Sequence, residues 1–216
     1  ILYAAMWERV RGRTYRRSGG PSSGLWRSLD GGDTWQHLGL EDTERIGKII
    51  IHPNNSQVVY VAALGHLWDG NEERGLYKTS DGGANWDKIL YVDENTGATD
   101  IKMDPANPNH LIAAMWEHRR WPWFFKSGGP GSGLYVSWDG GESWQFARGT
   151  DLPAALPGEG GFAASGTCVA LGPDGRAWSG TGAGEAARVL SSRDGGRSWT
   201  AAATPLPAGE AAVSMA

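Results

Sequence analysis

Apolar and polar residues alternate in short runs along the chain, and no window carries the roughly 3.6-residue period of an amphipathic helix. The runs return in a fixed order. A first strand is predicted at Ile46–Ile51, Ala98–Met103 and Thr167–Leu171. Each ends in a Pro turn: His52-Pro53-Asn54-Asn55, Asp104-Pro105-Ala106-Asn107 or Gly172-Pro173-Asp174-Gly175. A second strand follows at Val58–Ala63, Leu111–Trp116 and Arg176–Trp178, and Ile1–Trp7 has the same character. A third is predicted at Gly24–Arg27, Gly75–Lys78, Gly133–Val136 and Arg188–Ser191. It enters a turn, and a fourth strand leaves it.

That turn occurs four times. Its copies are Ser28-Leu29-Asp30-Gly31-Gly32-Asp33-Thr34-Trp35, Thr79-Ser80-Asp81-Gly82-Gly83-Ala84-Asn85-Trp86, Ser137-Trp138-Asp139-Gly140-Gly141-Glu142-Ser143-Trp144 and Ser192-Arg193-Asp194-Gly195-Gly196-Arg197-Ser198-Trp199. The Asp positions lie 51, 58 and 55 residues apart, which marks an array of supersecondary units. Asp-Gly supplies residues that tolerate positive φ, the carboxylate can accept N–H groups of its own turn, and the Trp can fold back over the hairpin. Asp30, Trp35, Asp81, Trp86, Asp139, Trp144, Asp194 and Trp199 are therefore expected to be structural. Four antiparallel strands per unit of about 50 residues is the pattern of a propeller blade. The predicted fold class is all-β: a β-propeller made of four-stranded antiparallel blades, with four blade equivalents. The blades fall at about 1–40, 45–92, 97–147 and 161–204, in one domain spanning 1–216.

Composition sharpens this picture. The 216 residues include 33 Gly and 12 Trp, and about 15% Gly is twice the usual share. Aromatic residues spread along the whole length argue against disorder. One Cys, Cys168, excludes an intrachain disulfide framework and a multi-cysteine metal site, and the five His lie apart without metal spacing; no metal and no cofactor are expected. Cys168 itself suits a buried small hydrophobe. A net charge of −4 argues against a nucleic-acid partner, and no apolar run is long enough for membrane insertion. Beginning at Ile1, the chain reads as a mature product or a fragment.

The Ser/Thr-x-Asp-Gly-Gly-x-x-Trp turn resembles the Asp box of BNR-repeat propellers, a group that includes sialidases, xyloglucanase-type glycoside hydrolases, sortilin/Vps10 receptors and photosystem II assembly-factor-like proteins. Residues 1–145 resemble bacterial Vps10/sortilin-like repeats, on Ala4-Ala5-Met6-Trp7-Glu8, Ala113-Ala114-Met115-Trp116-Glu117 and the run from Ser127 to Tyr135. Residues 147–216 look more like the assembly-factor-like group, on Gly161–Thr167 and Arg193–Trp199. Beyond Ala147 there is no Lys, His, Asn, Ile or Tyr, so a junction of two sources is expected there. The resemblance implies export to the periplasm or cell exterior, and rings of six or more blades. Residues 210–216 read as an inner strand for the first blade. A homodimer completing an eight-bladed ring, or neighbouring blades of a longer chain, would close the ring.

Candidate chemistry concentrates in two loops that join second to third strands. One runs from Met115 to Lys126 and sets Trp121, Trp123 and Phe124 beside Arg119 and Arg120. Rings with neighbouring guanidiniums can face sugars, peptides or a protein partner. The other runs from Glu8 to Arg17 and holds Arg13, Tyr15 and Arg16 in a locally basic stretch. Both loops make the same connection, so both are expected on one face. The simpler account is that the rings pack on a neighbouring blade and the arginines are solvated.

Glycoside hydrolysis needs two carboxylates at a set separation. Asp100, Glu117 and Glu8 are the candidates, with Asp93 and Glu94 behind them. Glu8 and Glu117 share a repeat position, which points to architecture. The sialidase Arg-Ile-Pro signature is missing, since Arg45-Ile46 is followed by Gly47. Gly20-Pro21-Ser22-Ser23-Gly24 fits a nucleophile pattern but opens no helix. The leading expectation is a non-catalytic binding or scaffold module for a protein or glycan. The alternatives are a xyloglucanase-like or sialidase-like fragment, or an engineered or truncated propeller with no activity of its own.

Overall fold

The computed structural model describes residues 1–147, 152–161, 169–182 and 184–206. Every sheet is antiparallel. In the first, β1 (Leu2–Met6) pairs with β4 (Gly24–Ser28), which pairs with β5 (Gln36–His37); β2 (Arg9–Arg11) and β3 (Arg16–Ser18) form a separate hairpin between them. After one turn of 3-10 helix at Glu41–Thr43, the second sheet has the order β6 (Ile46–His52), β7 (Asn55–Ala63), β8 (Gly75–Thr79) and β9 (Asp87–Leu90). The third has the order β10 (Thr96–Met103), β11 (Leu111–Arg120), β13 (Gly133–Ser137) and β14 (Gln145–Phe146), with β12 (Phe125–Ser127) on the far end of β11. The fourth holds β15 (Gly160–Gly161), β16 (Val169–Leu171), β17 (Ala177–Gly182), β18 (Arg188–Ser192) and β19 (Thr200–Ala203).

Two strands run four residues beyond their predicted ends. β11 continues to Arg120 because β12 extends its pairing, from His118 opposite Ser127 to Arg120 opposite Phe125. β17 continues to Gly182 through Ser, Gly and Thr, residues too small and polar to announce a strand by alternation. The strand expected at 210–216, together with Thr167 and Cys168, lies outside the described residues.

The four Asp-Gly-Gly turns share one hydrogen-bond pattern. In the first, the Ser28 hydroxyl donates to Asp30 Oδ1 at 2.7 Å and accepts the Gly32 N–H at 2.8 Å. Asp30 Oδ1 accepts the Thr34 N–H at 3.0 Å, and Oδ2 accepts the Thr34 hydroxyl. Thr79-Asp81-Asn85, Ser137-Asp139-Ser143 and Ser192-Asp194-Ser198 repeat it. These donors hold Asp30, Asp81 and Asp139 well below the usual carboxylate range. In each, the hydroxyl or amide side chain four residues on is the largest cause and the N–H of that residue the next. Both glycines of every copy have positive φ, from 72° to 112°, as the turn requires.

The tryptophans are less uniform than their repeat suggests. Trp35 and Trp199 donate to Gly32 O and Gly196 O of their own turns. Trp86 instead donates to Leu38 O of the preceding sheet at 2.9 Å, so it joins two sheets where a fold-back on its own hairpin was expected. Trp35 is 42% exposed, and Trp144 Nε1 is buried with no acceptor among the described residues.

The chain divides into two compact units, Ile1–Ala98 with Glu117–Gly131, and Thr99–Trp116 with Ser132–Ala216. The first has a core of Leu25, Leu38, Val59, Val61, Ala63 and Tyr77. The second has one of Ile112, Ala114, Leu134, Val136, Ala147, Val169, Ala177 and Trp199.

Candidate functional site

Two hairpins of the first unit carry most of the residues singled out by sequence. The β2–β3 hairpin is closed by the Gly12 N–H donating to Tyr15 O at 2.9 Å. It leaves Arg9, Arg11, Arg13 and Tyr15 exposed and Arg16 half-buried. The β11–β12 hairpin is closed by the Trp121 N–H donating to Phe124 O at 2.7 Å. Its tip is more open than a packed loop would be: Trp123 is 82% exposed and Phe124 57%. Arg119 lies over the Trp121 ring at 5.3 Å and Arg120 over the Phe125 ring at 4.4 Å, while Trp121 and Phe124 meet at 5.8 Å between centroids. The cationic groups therefore brace the rings from within, and Trp123 faces solvent.

Glu8 and Glu117 do the same local work in their two loops. The backbone carbonyl of Glu8 accepts the Gly19 N–H, and that of Glu117 accepts the Gly128 N–H. Glu8 Oε2 accepts the Ser22 N–H at 3.2 Å, and Glu117 Oε2 accepts the Gly131 N–H at 3.1 Å. Arg17 pairs with Glu8, and Lys126 pairs with Glu117 at 2.5 Å. Both carboxylates thus pin the Gly-Pro loop that leads into the third strand. Asp100 sits on β10 with no exposure, its Oδ2 3.6 Å from Lys102 Nζ. Asp93 Oδ1 accepts the Asn95 N–H at 2.8 Å. Among the described residues no group of three or more His, Cys, Asp and Glu could hold a metal ion. No helix there is long and apolar enough to cross a membrane.

In the second sheet Gly65 stands where register places Glu8 in the first, because Met6 faces Gly24 as Ala63 faces Gly75. The vacated space is taken by Arg74: a Cβ on Gly65 would meet Arg74 and Asn71. Arg74 is fully buried. It donates to His66 O at 3.1 Å, Asp69 O at 3.0 Å, Asn95 O at 3.0 Å and Asn71 Oδ1 at 3.2 Å. Its Nη1 also lies 3.1 Å from His118 Nδ1. Arg45 reaches the same imidazole, with Nη2 2.9 Å from His118 Nε2, and donates to Gly65 O and His66 O. Both guanidiniums are brought down to about 10, by burial first and next by another arginine, Arg74 acting on Arg45 and Arg119 on Arg74. Sequence reasoning missed this cluster. Its one visible sign was Arg and His residues just outside strands, and their partners are 44 and 73 residues apart.

The cluster fastens the two hairpins to one loop. The Trp68 indole donates to Arg16 O at 3.2 Å, and Glu44 Oε2 accepts from both the Ser18 hydroxyl and the Leu67 N–H. His118, held by Arg45 and Arg74, opens the β11–β12 ladder. Arg13, Arg16 and Tyr15 on one side and Arg119–Phe124 on the other therefore rise from a shared base.

Known proteins of the same architecture cover this chain broadly but are much longer. A xyloglucanase of Paenibacillus sp. is 28% identical over 164 residues, which is 63% of this chain and 14% of that protein. The GH74 enzyme of Niastella koreensis superposes with a TM-score of 0.59 at 20% identity, over 88% of this chain and 27% of that one. The GH74 xyloglucanase of Xanthomonas campestris gives 0.58 at 18% identity, over 85% and 27%. The chain thus spans well under two thirds of each of them. The fold is all-β, built of antiparallel propeller blades. The Sortilin-Vps10 family (sortilin, neurotensin receptor 3) matches residues 23–150, more than half of the chain, and the chain belongs to that family.

Proposed function

We propose that this chain is a glycoside-hydrolase-like propeller segment whose part is to contact polysaccharide, the β11–β12 hairpin presenting Trp123 and Phe124 to sugar faces. The observation that carries this is the exposure of two large rings at one hairpin tip, Trp123 at 82% and Phe124 at 57%, on a base fixed by buried hydrogen bonds. Ordering an aromatic platform in advance lowers the entropy lost on binding. The xyloglucanase relative supports a glycan as the ligand. The repeated turns are read here as Asp boxes, which serve the blade and leave the hairpins for contact. The carboxylates offer less for hydrolysis. Glu8 and Glu117 are engaged by loop N–H groups and by Arg17 and Lys126, and Asp100 is enclosed. This chain is therefore assigned substrate contact, not the acid pair.

Affinity electrophoresis through a panel of soluble polysaccharides, xyloglucan included, tests the assignment. At least one polymer should retard the chain, and Trp123→Ala should remove the retardation without moving the melting temperature. Unretarded migration through every polymer would overturn it. Release of reducing ends that disappears in Glu117→Gln would move catalysis onto these acids instead.

A further inference from the structure

The chain carries a net charge of −4, yet Arg9, Arg11, Arg13, Arg16 and Arg17 fall within one ten-residue hairpin. Arg17 is paired with Glu8. Among the described residues Arg9, Arg11, Arg13, Arg16, Arg119 and Arg120 form no ion pair. The hairpin bearing the first four and the strand bearing the last two rest on the same loop, through Trp68 and Glu44 on one side and Arg74 and Arg45 on the other. Arg16 is held below the ordinary guanidinium value by burial first, and then by Arg11, Arg9 and Arg120, so cations of both hairpins lie within one another's field. Like charges gathered on a mildly acidic protein repel one another until an anion joins them.

We infer that the polysaccharide contacted at this site is an acidic one, with uronate carboxylates meeting the guanidiniums of Arg16 and Arg120 while sugar faces lie on Trp123 and Phe124. This rests on the glycan reading above and names its substrate class. Guanidinium forks match carboxylate geometry, and the neighbouring rings add the sugar selectivity that charge alone lacks. A polyanion without sugar faces, such as polyglutamate, would use the charge without the stacking surface that a sugar offers.

The test measures binding of the 216-residue chain to polygalacturonate, to neutral xyloglucan and to polyglutamate. Polygalacturonate should bind at least about tenfold more tightly than xyloglucan at low salt, and the advantage should shrink as salt screens the charges. The double variant Arg16→Ala/Arg120→Ala should lose about tenfold or more for polygalacturonate and a clearly smaller factor for xyloglucan. Arg16→Lys/Arg120→Lys should recover part of the loss. Should the double alanine variant melt early, Arg16→Gln/Arg120→Gln, which removes the charges and keeps most of each side chain, supplies the same comparison. Polygalacturonate binding that ignores these substitutions, or that polyglutamate equals, overturns the inference. Binding to xyloglucan with no preference for the acidic polymer overturns it alone. Failure of every polysaccharide overturns the glycan reading with it.

Discussion

Arg74 has no exposure to water and donates to three main-chain carbonyls and one side-chain amide from segments as far apart as His66 and Asn95. A buried charge is costly, and here fixed acceptors offset the lost hydration. Removing the guanidinium strands those acceptors together. Arg74→Met should therefore cost on the order of 3 kcal/mol or more. In a protein of this size that is a fall of about 6–12 °C in melting temperature. Arg74→Lys should fall between, since a single ammonium cannot reach the same divergent set. A melt of Arg74→Met within about 2 °C of the parent would show that the loop holds by other means. Glu117→Gln should be milder, because an amide oxygen can still accept the Gly131 N–H.

The turns were legible in the sequence because everything that makes them lies within eight residues. The hydroxyl, the carboxylate and the two positive-φ glycines of each copy bond among themselves. What the turns dock against was not legible. Trp86 finds Leu38, 48 residues earlier, and His110 Nε2 meets Gly195 O at 2.8 Å, 85 residues away. The basic and aromatic hairpins could likewise be located from composition. Their common base could not, since it depends on Arg45, Arg74 and His118 meeting across two repeats. Docking separates glycines that the repeat makes equivalent. Gly31 has φ of 83° and open space where a Cβ would go, whereas at Gly83, with φ of 96°, a Cβ would come within 2.6 Å of Leu38 Cδ1. Gly31→Ala should cost about 1 kcal/mol from backbone strain alone. Gly83→Ala should cost about 1–3 kcal/mol more, as Leu38 is forced out of its packing. Chemical denaturation of the two variants gives the comparison, and equal losses would mean that Leu38 moves aside freely.

At the scale of the whole molecule, two apolar clusters among the described residues are each made from the side chains of one unit, while Ala62, Leu76, Ile101 and Leu111 are buried outside both. Neighbouring repeats supply each cluster: Leu25 and Leu38 pack with Val59 and Val61 in one, Ile112 and Val136 with Trp199 in the other. Repeat architectures built this way have stability that is close to a sum of nearest-neighbour terms, and damage stays near its origin. Val61 and Val136 are both essentially without exposure, so cutting either to alanine removes the same two methyl groups from a filled core. Each substitution should cost about 1–3 kcal/mol. The loss should then appear locally in native-state hydrogen exchange. Val61→Ala should speed exchange in β4, β7 and β8, and Val136→Ala in β11, β13 and β18, each leaving the other group of strands near its original protection. Uniform loss of protection after either substitution would instead require the two clusters to open as one cooperative unit, and the nearest-neighbour account of this fold would fail.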